Sequence, residues 1–446
     1  MGGPRAISAD GGPDGAGPRA SAGQVAAVVC GNALEFYDFL TYAYFALQIG
    51  RSFFPSSNPN ASLLASLATF GVGFGMRPVG AAVLGPLGDR IGRRPAMLLC
   101  FGLMGLGMTG LALTPPYAQI GVAAPVLAVV WRLIQGFALG GEVGPSTAFL
   151  AEVAGPTRRG LLISFQLGSQ RLATLVAGLV GLVLANRLSG GALDAWGWRL
   201  AFLIGAAIIP FGLWLRSRLP ETLLPAGADE TEEPGTRRGS ALALMGLAGF
   251  VVLAGGTIAS YVADYLTTYA THTLRMGSSV AFAAPAAGGL AGVLAAPIGG
   301  WLSDRLGRKP VMLGSWAVVL VGAIPMFVLL EHSRSLLALV ALAGGLTAFG
   351  VMAITAVMAA LSEGLPMRIR SGGLGLIYGL AIAAFGGSAQ FVVAWLTDLT
   401  HDPLAPAWYL TAAVGLSLLA MLAMPETAPV RAAKGAHPLT TARIPA

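Results

Sequence analysis

Charged side chains are scarce in this chain. Asp, Glu, Lys and Arg make up 11% of its 446 residues, against an average of about 25% in soluble domains. Seven stretches carry no charge at all, at residues 95–131, 239–263, 276–303, 310–330, 335–362, 371–397 and 403–425. Because a helix needs about 20 apolar residues to cross a bilayer, these stretches predict a protein that spans the membrane many times.

Lysine is almost absent, which bears on the source of energy. The only lysines, Lys309 and Lys434, are followed by Pro310 and Gly435. Neither can complete a phosphate-binding loop of the Gly-x-x-x-x-Gly-Lys-Ser/Thr type. The sequence therefore excludes a primary ATP-driven pump for this chain alone.

Cysteine and histidine are also few. Cys30 and Cys100 both fall in predicted helices, so we expect no structural disulfide. The four histidines fall in predicted loops or the tail, which argues against a histidine proton relay. They are His272, His332, His401 and His437. No cluster has the spacing of metal ligands and no nucleophile lies beside a base, so we expect no metal, no cofactor and no enzymatic activity.

The apolar segments predict an all-α membrane protein with twelve transmembrane helices. The stretch 95–131 must hold two of them, with Thr114-Pro115-Pro116-Tyr117 as the turn, because paired prolines end a helix. The predicted spans are 24–50, 61–86, 95–114, 121–151, 160–187, 197–217, 240–270, 277–302, 310–330, 335–362, 371–397 and 405–424.

Lys and Arg are unevenly distributed over the loops between these spans. With the N-terminus inside, 19 of the 27 fall in cytoplasmic loops and tails, and three, Arg77, Arg132 and Arg171, fall in the membrane. This positive-inside bias predicts a multi-pass protein of the inner or plasma membrane with both termini in the cytoplasm. The net charge of +7 is then a topology signal and not a nucleic-acid interface, because it is divided among many short loops.

The chain carries an internal duplication. The decapeptide GPLGDRIGRR at 85–94 returns as GWLSDRLGRK at 300–309. Two further pairs repeat in the same order, namely Glu152 to Gly160 with Glu363 to Gly372, and Pro-Glu-Thr at 220–222 with the same tripeptide at 425–427. Three ordered pairs at similar offsets are hard to obtain by chance.

The duplication divides the chain at its longest internal polar segment. Residues 1–23 are rich in Gly, Pro and Ala without an apolar core, which is typical of a disordered tail. The predicted organisation is a cytoplasmic tail over 1–23, a six-helix bundle over 24–217, a cytoplasmic linker over 218–239, a second six-helix bundle over 240–424 and a tail over 425–446.

These features resemble the major facilitator superfamily, through the paired loops, the linker and the six-plus-six arrangement. Further motifs are similar to its metabolite:proton symporter family: GNALEFYDF at 31–39, GFGMRPVG at 73–80, RLIQG at 132–136, GGEVG at 140–144 and WGWR at 196–199. Ser169-Gln170 and the segments 358–363, 385–387 and 406–409 look closest to the citrate/tricarboxylate branch.

The resemblance implies a major facilitator fold that works by alternating access to a site between its halves. It implies a monomeric secondary active transporter that carries a citrate-like di- or tricarboxylate together with protons. The alternative is a proton-coupled carrier of a monocarboxylate or zwitterion, of the shikimate, 2-oxoglutarate or betaine/proline type. A non-transporting membrane sensor is the other alternative, and the short final segment argues against it.

Ionisable residues inside the predicted helices are costly unless paired or hydrated, so they mark a pathway. Glu35 and Asp38 share one face of the first helix, and two close carboxylates in a low dielectric resist double ionisation. This pair is the predicted proton-coupling site. The other interpretation is a permanent ion pair of either carboxylate with Arg77 or Arg132. Glu142 is a further proton-coupling candidate, with a gate or an interhelical hydrogen bond as the alternative.

Arg132 and Arg171 are predicted to reach similar depth from opposite sides of the membrane and to clamp an anion, because a guanidinium matches a carboxylate. The alternative for Arg171 is a bridge to Asp264. Carriers of the citrate branch are expected to have uncharged residues at both arginine positions. Gln166, Ser169 and Gln170 are predicted to add hydrogen bonds to the substrate, with a tie between neighbouring helices as the alternative. Tyr261 and Tyr265 are predicted to contact the substrate as the minority interpretation of a tyrosine face.

The repeated loops are predicted to latch the cytoplasmic side. An aspartate at the start of a helix accepts backbone N–H bonds and meets the positive helix end, while the neighbouring arginines pair across the contact. The residues of the predicted latch are Asp89, Arg90 and Arg93 in the first loop and Asp304, Arg305 and Arg308 in the second. The alternative is that the loops only orient the chain in the membrane.

Overall fold

A computed structural model provides the fold. The structure describes residues 32–33, 36–91, 93–140, 158–217, 239–365 and 367–429. This part of the chain is almost entirely helical and contains no β-strand. Twelve long helices, α1 to α12, follow one another in it, with short helical turns in some of the connections.

Six helices precede residue 218. They are α1 (residues 36–44, resumed as Ala46–Phe53), α2 (Pro59–Gly75, resumed as Arg77–Ile91), α3 (Arg93–Leu113), α4 (Ala123–Leu139), α5 (Arg159–Arg187) and α6 (Trp198–Ser217). The described part of α4 ends at Leu139, and the remainder of the predicted span 121–151 lies outside the described residues.

Six helices follow residue 238. They are α7 (Gly239–Thr268), α8 (Ala283–Leu306), α9 (Arg308–Ser333), α10 (Leu336–Gly364), α11 (Met367–Ala381, resumed as Ala389–Thr400) and α12 (Ala405–Ala423). A π-helical turn, Tyr269–Thr273, extends α7, and a second, Ile382–Gly386, interrupts α11.

Local sequence accounts for several helix ends. Asn58 caps α2 by accepting from the backbone N–H of Asn60, with Pro59 in the first turn, where a missing N–H costs nothing. Ser335 caps α10 by accepting from the N–H of Ala338 at 3.2 Å, which satisfies one of the free amides of that end. The prolines at 115 and 116 separate α3 from α4, as the sequence predicts.

The helices have the length and surface of membrane spans. Eight of them, α2, α5 and α7 to α12, contain segments long and apolar enough to cross a bilayer, and α3 and α4 contain shorter apolar segments. Large hydrophobic side chains face outwards, and Leu337 and Val321 are 79% and 74% exposed. Such a surface suits lipid, in which a helix satisfies its own backbone groups.

Glycine allows two pairs of helices from the two halves to pack very closely. A Cβ on Gly300 of α8 would lie 2.5 Å from the carbonyl oxygen of Gly160 in α5. Gly71 of α2 and Gly387 of the α11 break face each other, each with 2.7 Å from an added Cβ to the facing carbonyl oxygen. Because only a residue without Cβ permits this approach, the α5–α8 and α2–α11 contacts hold the halves together around a central space.

Candidate functional site

A central cavity lies between the two halves and is lined by α1, α5, α7, α10 and α11. About 70 Å³ of it is open to the centre of a water molecule, which is room for a few waters. Apolar side chains of α1 and α10 form part of the cavity wall. The polar lining consists of Gln170, Arg171 and Thr174 of α5, Thr257, Ser260, Tyr261 and Asp264 of α7, and Tyr378 of α11.

Arg171 brings a positive charge to this cavity. Its Nη2 donates to the Ser260 hydroxyl across the cavity at 3.0 Å. Gly292 of α8 makes room for the side chain, since a Cβ there would come 2.6 Å from the Arg171 Cγ. A guanidinium that meets a neutral hydroxyl keeps its charge and its donor fork for a carboxylate.

Asp264 brings a negative charge to the same cavity. Its side chain is buried, and its Oδ1 accepts a hydrogen bond of 3.0 Å from the Tyr44 hydroxyl of α1. The ion pairs between described residues do not include one joining Asp264 to Arg171. Arg171 therefore contacts Ser260, one helical turn before Asp264, and the carboxylate is held by a tyrosine of the other half.

Asp38, Arg132 and Gln135 form a closed cluster beside the cavity, and all three are 0% exposed. The Arg132 Nη1 lies 3.3 Å from the Asp38 Oδ2 and donates to the Gln135 Oε1 at 2.7 Å. The Gln135 Nε2 donates to the other Asp38 oxygen at 3.1 Å. Both carboxylate oxygens are thus engaged by α4, so the cluster ties α1 to α4.

An aromatic wall separates Arg132 from the central cavity. The Arg132 Cζ lies 4.3 Å from the ring centroid of Phe39 and 4.5 Å from that of Tyr42. Phe39 itself lines the cavity, and the Arg77 Cζ lies 4.6 Å from the same ring. Ring faces stabilise a desolvated cation, which explains how two guanidinium groups are accommodated beside the same ring.

Asp304 joins the two halves at the end of α8. Its Oδ1 and Oδ2 accept the backbone N–H groups of Gly160 and Leu161, both at 2.9 Å. These amides open α5, where they have no partner within the helix, and a carboxylate is favoured at this positive end. Arg308 holds Asp304 through its Nη1 at 2.6 Å and reaches Glu363 of α10 with Nε and Nη2.

Glu426 closes the same end of the second half. It accepts the backbone N–H groups of Arg308 and Lys309 at 2.9 and 3.0 Å, at the start of α9. Burial raises the pKa of Glu426, but the backbone N–H bonds, including one from Ala428, outweigh it and hold the pKa below its ordinary value. The ionised carboxylate is therefore the form that the fold binds.

Comparison with known proteins identifies the family of this fold. Residues 30–370 match the family model described as Major Facilitator Superfamily. The chain belongs to the major facilitator superfamily. The resemblance stated from the loop motifs is thereby confirmed, as is the twelve-helix fold of a multi-pass membrane transporter.

Curated relatives cover nearly the whole of this major facilitator chain. A citrate-proton symporter from Salmonella typhi is 37% identical over 90% of the chain and 93% of its own length. An alpha-ketoglutarate permease from Escherichia coli (strain K12) is 34% identical over 88% and 91%. A proline/betaine transporter from the same strain is 32% identical over 93% and 85%.

Among solved structures, the xylose transporter XylE from E. coli in a partially occluded inward open conformation is similar to this major facilitator protein. The TM-score is 0.74 at 17% identity, covering 91% of this chain and 98% of that one. At this identity the likeness concerns the fold alone.

The predicted substrate residues of this major facilitator protein separate into two groups. Arg171, Gln170 and Tyr261 line the central cavity. The others do not: Arg132 lies behind Phe39, Gln166 and Ser169 lie near Asn32, and Tyr265 lines a second cavity described below. The Asn32 Nδ2 donates to the Ser169 hydroxyl at 2.8 Å and to the Gln166 carbonyl at 3.2 Å, which ties the start of the bundle to α5.

The structure describes the remaining predicted site residues to different extents. Glu35 and Glu142 lie outside the described residues. Asp89, Arg90 and Arg93 lie on helical backbone of α2 and α3, but their side chains are outside the description. Of the second loop, Asp304 and Arg308 make the contacts given above, whereas the Arg305 Cζ lies 4.3 Å from the Trp301 ring. The functional roles of all these residues stay predictions.

Sequence reasoning missed several residues that complete the site. Gln135 stands three residues after Arg132, so helical spacing alone puts it beside that guanidinium. Ser260 stands four residues before Asp264 and could have been found in the same way. Tyr44 and Tyr378 carry no such signal, because their positions depend on how α1 and α11 pack against α7.

Proposed function

We propose that this protein is a proton-coupled symporter of a citrate-like di- or tricarboxylate. The observation that carries the proposal is Arg171, a cation in a cavity between the halves whose hydrogen-bond partner among the described residues is a neutral serine. The citrate-proton symporter names of relatives that cover nine-tenths of the chain support the same substrate class. A carboxylate of the substrate would replace Ser260 as the partner of Arg171.

Proton coupling is assigned to Asp38, together with Glu35 and Glu142 as further candidates. Protonation of Asp38 would remove the charge that holds Arg132 and would weaken the link between α1 and α4. Because both oxygens bind to α4, a change of protonation is also a change of helix packing. Release of α1, which also supplies Phe39 to the cavity wall, would connect the proton to the substrate site.

Alternating access would use the contacts between the halves. The bonds from Gly160 and Leu161 to Asp304 close the bundle at the end that the basic loops place in the cytoplasm, and they must break when this end opens. We extend the same role to Asp89, Arg90 and Arg93 of the first loop. In this proposal a monomer in the inner or plasma membrane, with both termini cytoplasmic, rocks the bundles 24–217 and 240–424 about the central cavity.

A zwitterion carrier is the second candidate, and one observation favours it. Arg171 and Asp264 line the same cavity with opposite charges, which would match a carboxylate and a cationic group on one small molecule. The proline/betaine transporters among the relatives support this reading. A tricarboxylate would instead require Asp264 to be neutral or to remain on Tyr44.

Uptake into proteoliposomes with an imposed pH gradient separates the candidates. Labelled citrate, tricarballylate, 2-oxoglutarate, shikimate and betaine are tested at equal concentration. We expect citrate or tricarballylate to accumulate on the alkaline side. Accumulation of betaine alone would favour the zwitterion carrier, and transport of none of the five would overturn the carboxylate assignment.

Removal of the proposed anion-binding group is the matching test of the site. Arg171→Gln should lose charge-assisted hydrogen bonds worth about 1.5–3 kcal/mol, which is roughly a tenfold or larger increase in the Kd of the transported carboxylate. The control is Arg187→Gln, at the exposed end of the same helix. Equal affinities in the two variants would remove Arg171 from substrate binding.

A further inference from the structure

A second cavity lies at the end of the bundle opposite to Asp304. It is formed by the start of α2, the π-helical end of α7 with the turn after it, and the end of α11. About 210 Å³ is open to the centre of a water molecule, against about 70 Å³ in the central cavity. Its polar lining includes Asn60, Tyr265, His272, Arg275, Asp398 and His401. We call it the outer cavity, because the proposed topology places it outside.

Three side chains of the outer cavity, His272, Arg275 and His401, are basic. The Nε2 of His272 is buried and has no hydrogen-bond partner among the described residues, and a buried polar atom normally has one. Arg275 and His401 each follow the end of a helix in left-handed backbone conformation, with φ of 59° and 56°. Non-glycine residues seldom adopt this conformation, and it recurs at functional sites.

The outer cavity holds one acidic side chain and one arginine. Asp398 accepts a hydrogen bond from the Asn60 Nδ2, which links α11 to α2 across the halves. Arg51, near His272, is paired with Asp194 at 2.5 Å. Arg275 therefore supplies the positive charge of the outer cavity.

Residues of α7 line both the outer cavity and the central cavity. Tyr261 and Asp264 line the central cavity, Tyr265 lines the outer cavity, and His272 lies two turns further on. Because residues three and four apart share a helix face, Tyr261 and Tyr265 form one polar stripe between the two cavities. This places the outer cavity on a path along α7 to Arg171.

We propose that the outer cavity is a transient binding site for a carboxylate anion before it enters the central cavity, with Arg275, His272 and His401 as its ligands. The inference rests on the proposed function, because it takes the substrate to be an anion. An imidazole nitrogen that carries a hydrogen donates to a carboxylate oxygen, so the buried Nε2 of His272 would meet one.

The test compares rates with equilibria, using labelled citrate and oriented proteoliposomes. A transit site accelerates both entry and exit and leaves the driving force unchanged. We expect Arg275→Gln to lower kcat/KM for uptake roughly three- to tenfold, and to weaken its dependence on ionic strength. The Kd of the solubilised protein for citrate and the final accumulation ratio should stay at wild-type values. His272→Gln should also lower kcat/KM for uptake, by less than Arg275→Gln, and leave the Kd unchanged.

Matched controls are available at the same end of the bundle. Arg334 has left-handed backbone like Arg275, and His332 is a nearby histidine; both are exposed on α9 or its end and neither lines the cavity. Arg334→Gln and His332→Gln should keep wild-type kcat/KM. If Arg275→Gln behaves like Arg334→Gln, or raises Kd as much as it lowers kcat/KM, the transit site is wrong. If the wild-type protein carries no carboxylate, the proposed function fails first and the inference falls with it.

Discussion

At the scale of single residues, the Asp38–Arg132 pair poses the sharpest question, because it could be a coupling site or a permanent fastening. Asp38→Asn leaves a fully buried guanidinium without its carboxylate, at a cost of about 3–5 kcal/mol. We expect a lower Tm in detergent and loss of gradient-driven accumulation. The double variant Asp38→Asn/Arg132→Gln removes the uncompensated charge, so it should recover much of the Tm but none of the accumulation.

A coupling site and a permanent ion pair predict different combinations of Tm and accumulation in these variants. If the double variant recovers accumulation together with Tm, the pair is a fastening and Asp38 has no role in coupling. Accumulation that survives Asp38→Asn alone has the same meaning. Recovery of Tm without recovery of accumulation is the result that coupling requires.

The sequence could predict the positions of Arg132 and Arg171 along their helices but not their surroundings. Both residues lie well inside their helices. The partners come from segments about 90 residues away, Asp38 for Arg132 and Ser260 for Arg171. Which faces of two helices meet depends on packing over the whole bundle, so no spacing rule could show that Phe39 covers one arginine while the other reaches the cavity.

At the scale of elements, Glu426 fastens the segment after α12 to the start of α9. Its pKa is lowered in the folded protein, so its contribution to stability is present above the ordinary value of 4.5 and is lost as the pH falls through the lowered value. We expect Glu426→Gln to have a lower Tm than the wild type at pH 7. The difference in Tm between the two proteins should narrow towards pH 4.

A control on the same helix isolates this contact. Glu331 lies near the opposite end of α9, away from the amides that Glu426 accepts, so Glu331→Gln should keep the wild-type Tm at both pH values. A gap between Glu426→Gln and wild type that is as large at pH 4 as at pH 7 would show that the charge is not what stabilises this end.

Element positions were largely predictable, and the interruptions were not. Uncharged length predicted α10 over 335–362, against the observed Leu336–Gly364, because lipid forces the backbone of a span to bond within itself. The break in α11 at Ile382–Gly386 carries no comparable signal. It places Gly387 against Gly71 of α2, and this contact between distant segments exists only once the halves have packed.

At the scale of the whole molecule, the two glycine contacts hold the halves at two different helix pairs. The α5–α8 contact, at Gly160 and Gly300, lies at the Asp304 end, where a carboxylate also bridges the halves. The α2–α11 contact belongs to the pair that Asn60 and Asp398 link at the outer cavity. In a carrier that alternates, weakening one of them should favour opening at that side, since the states differ in which contact they keep.

Valine at either contact should therefore shift the protein in opposite directions. Gly300→Val places side-chain atoms where even a Cβ would be 2.5 Å from a carbonyl oxygen, which forces α5 from α8. A cysteine at Thr257 of the central cavity, with Cys30 and Cys100 replaced by alanine, should then react faster with an impermeant thiol reagent from the Asp304 side. Gly387→Val should speed the same reaction from the other side, and Gly322→Val, with open space around it, should change neither. If both valines speed labelling from the same side, the two contacts do not oppose each other, and the alternating-access proposal loses its structural basis.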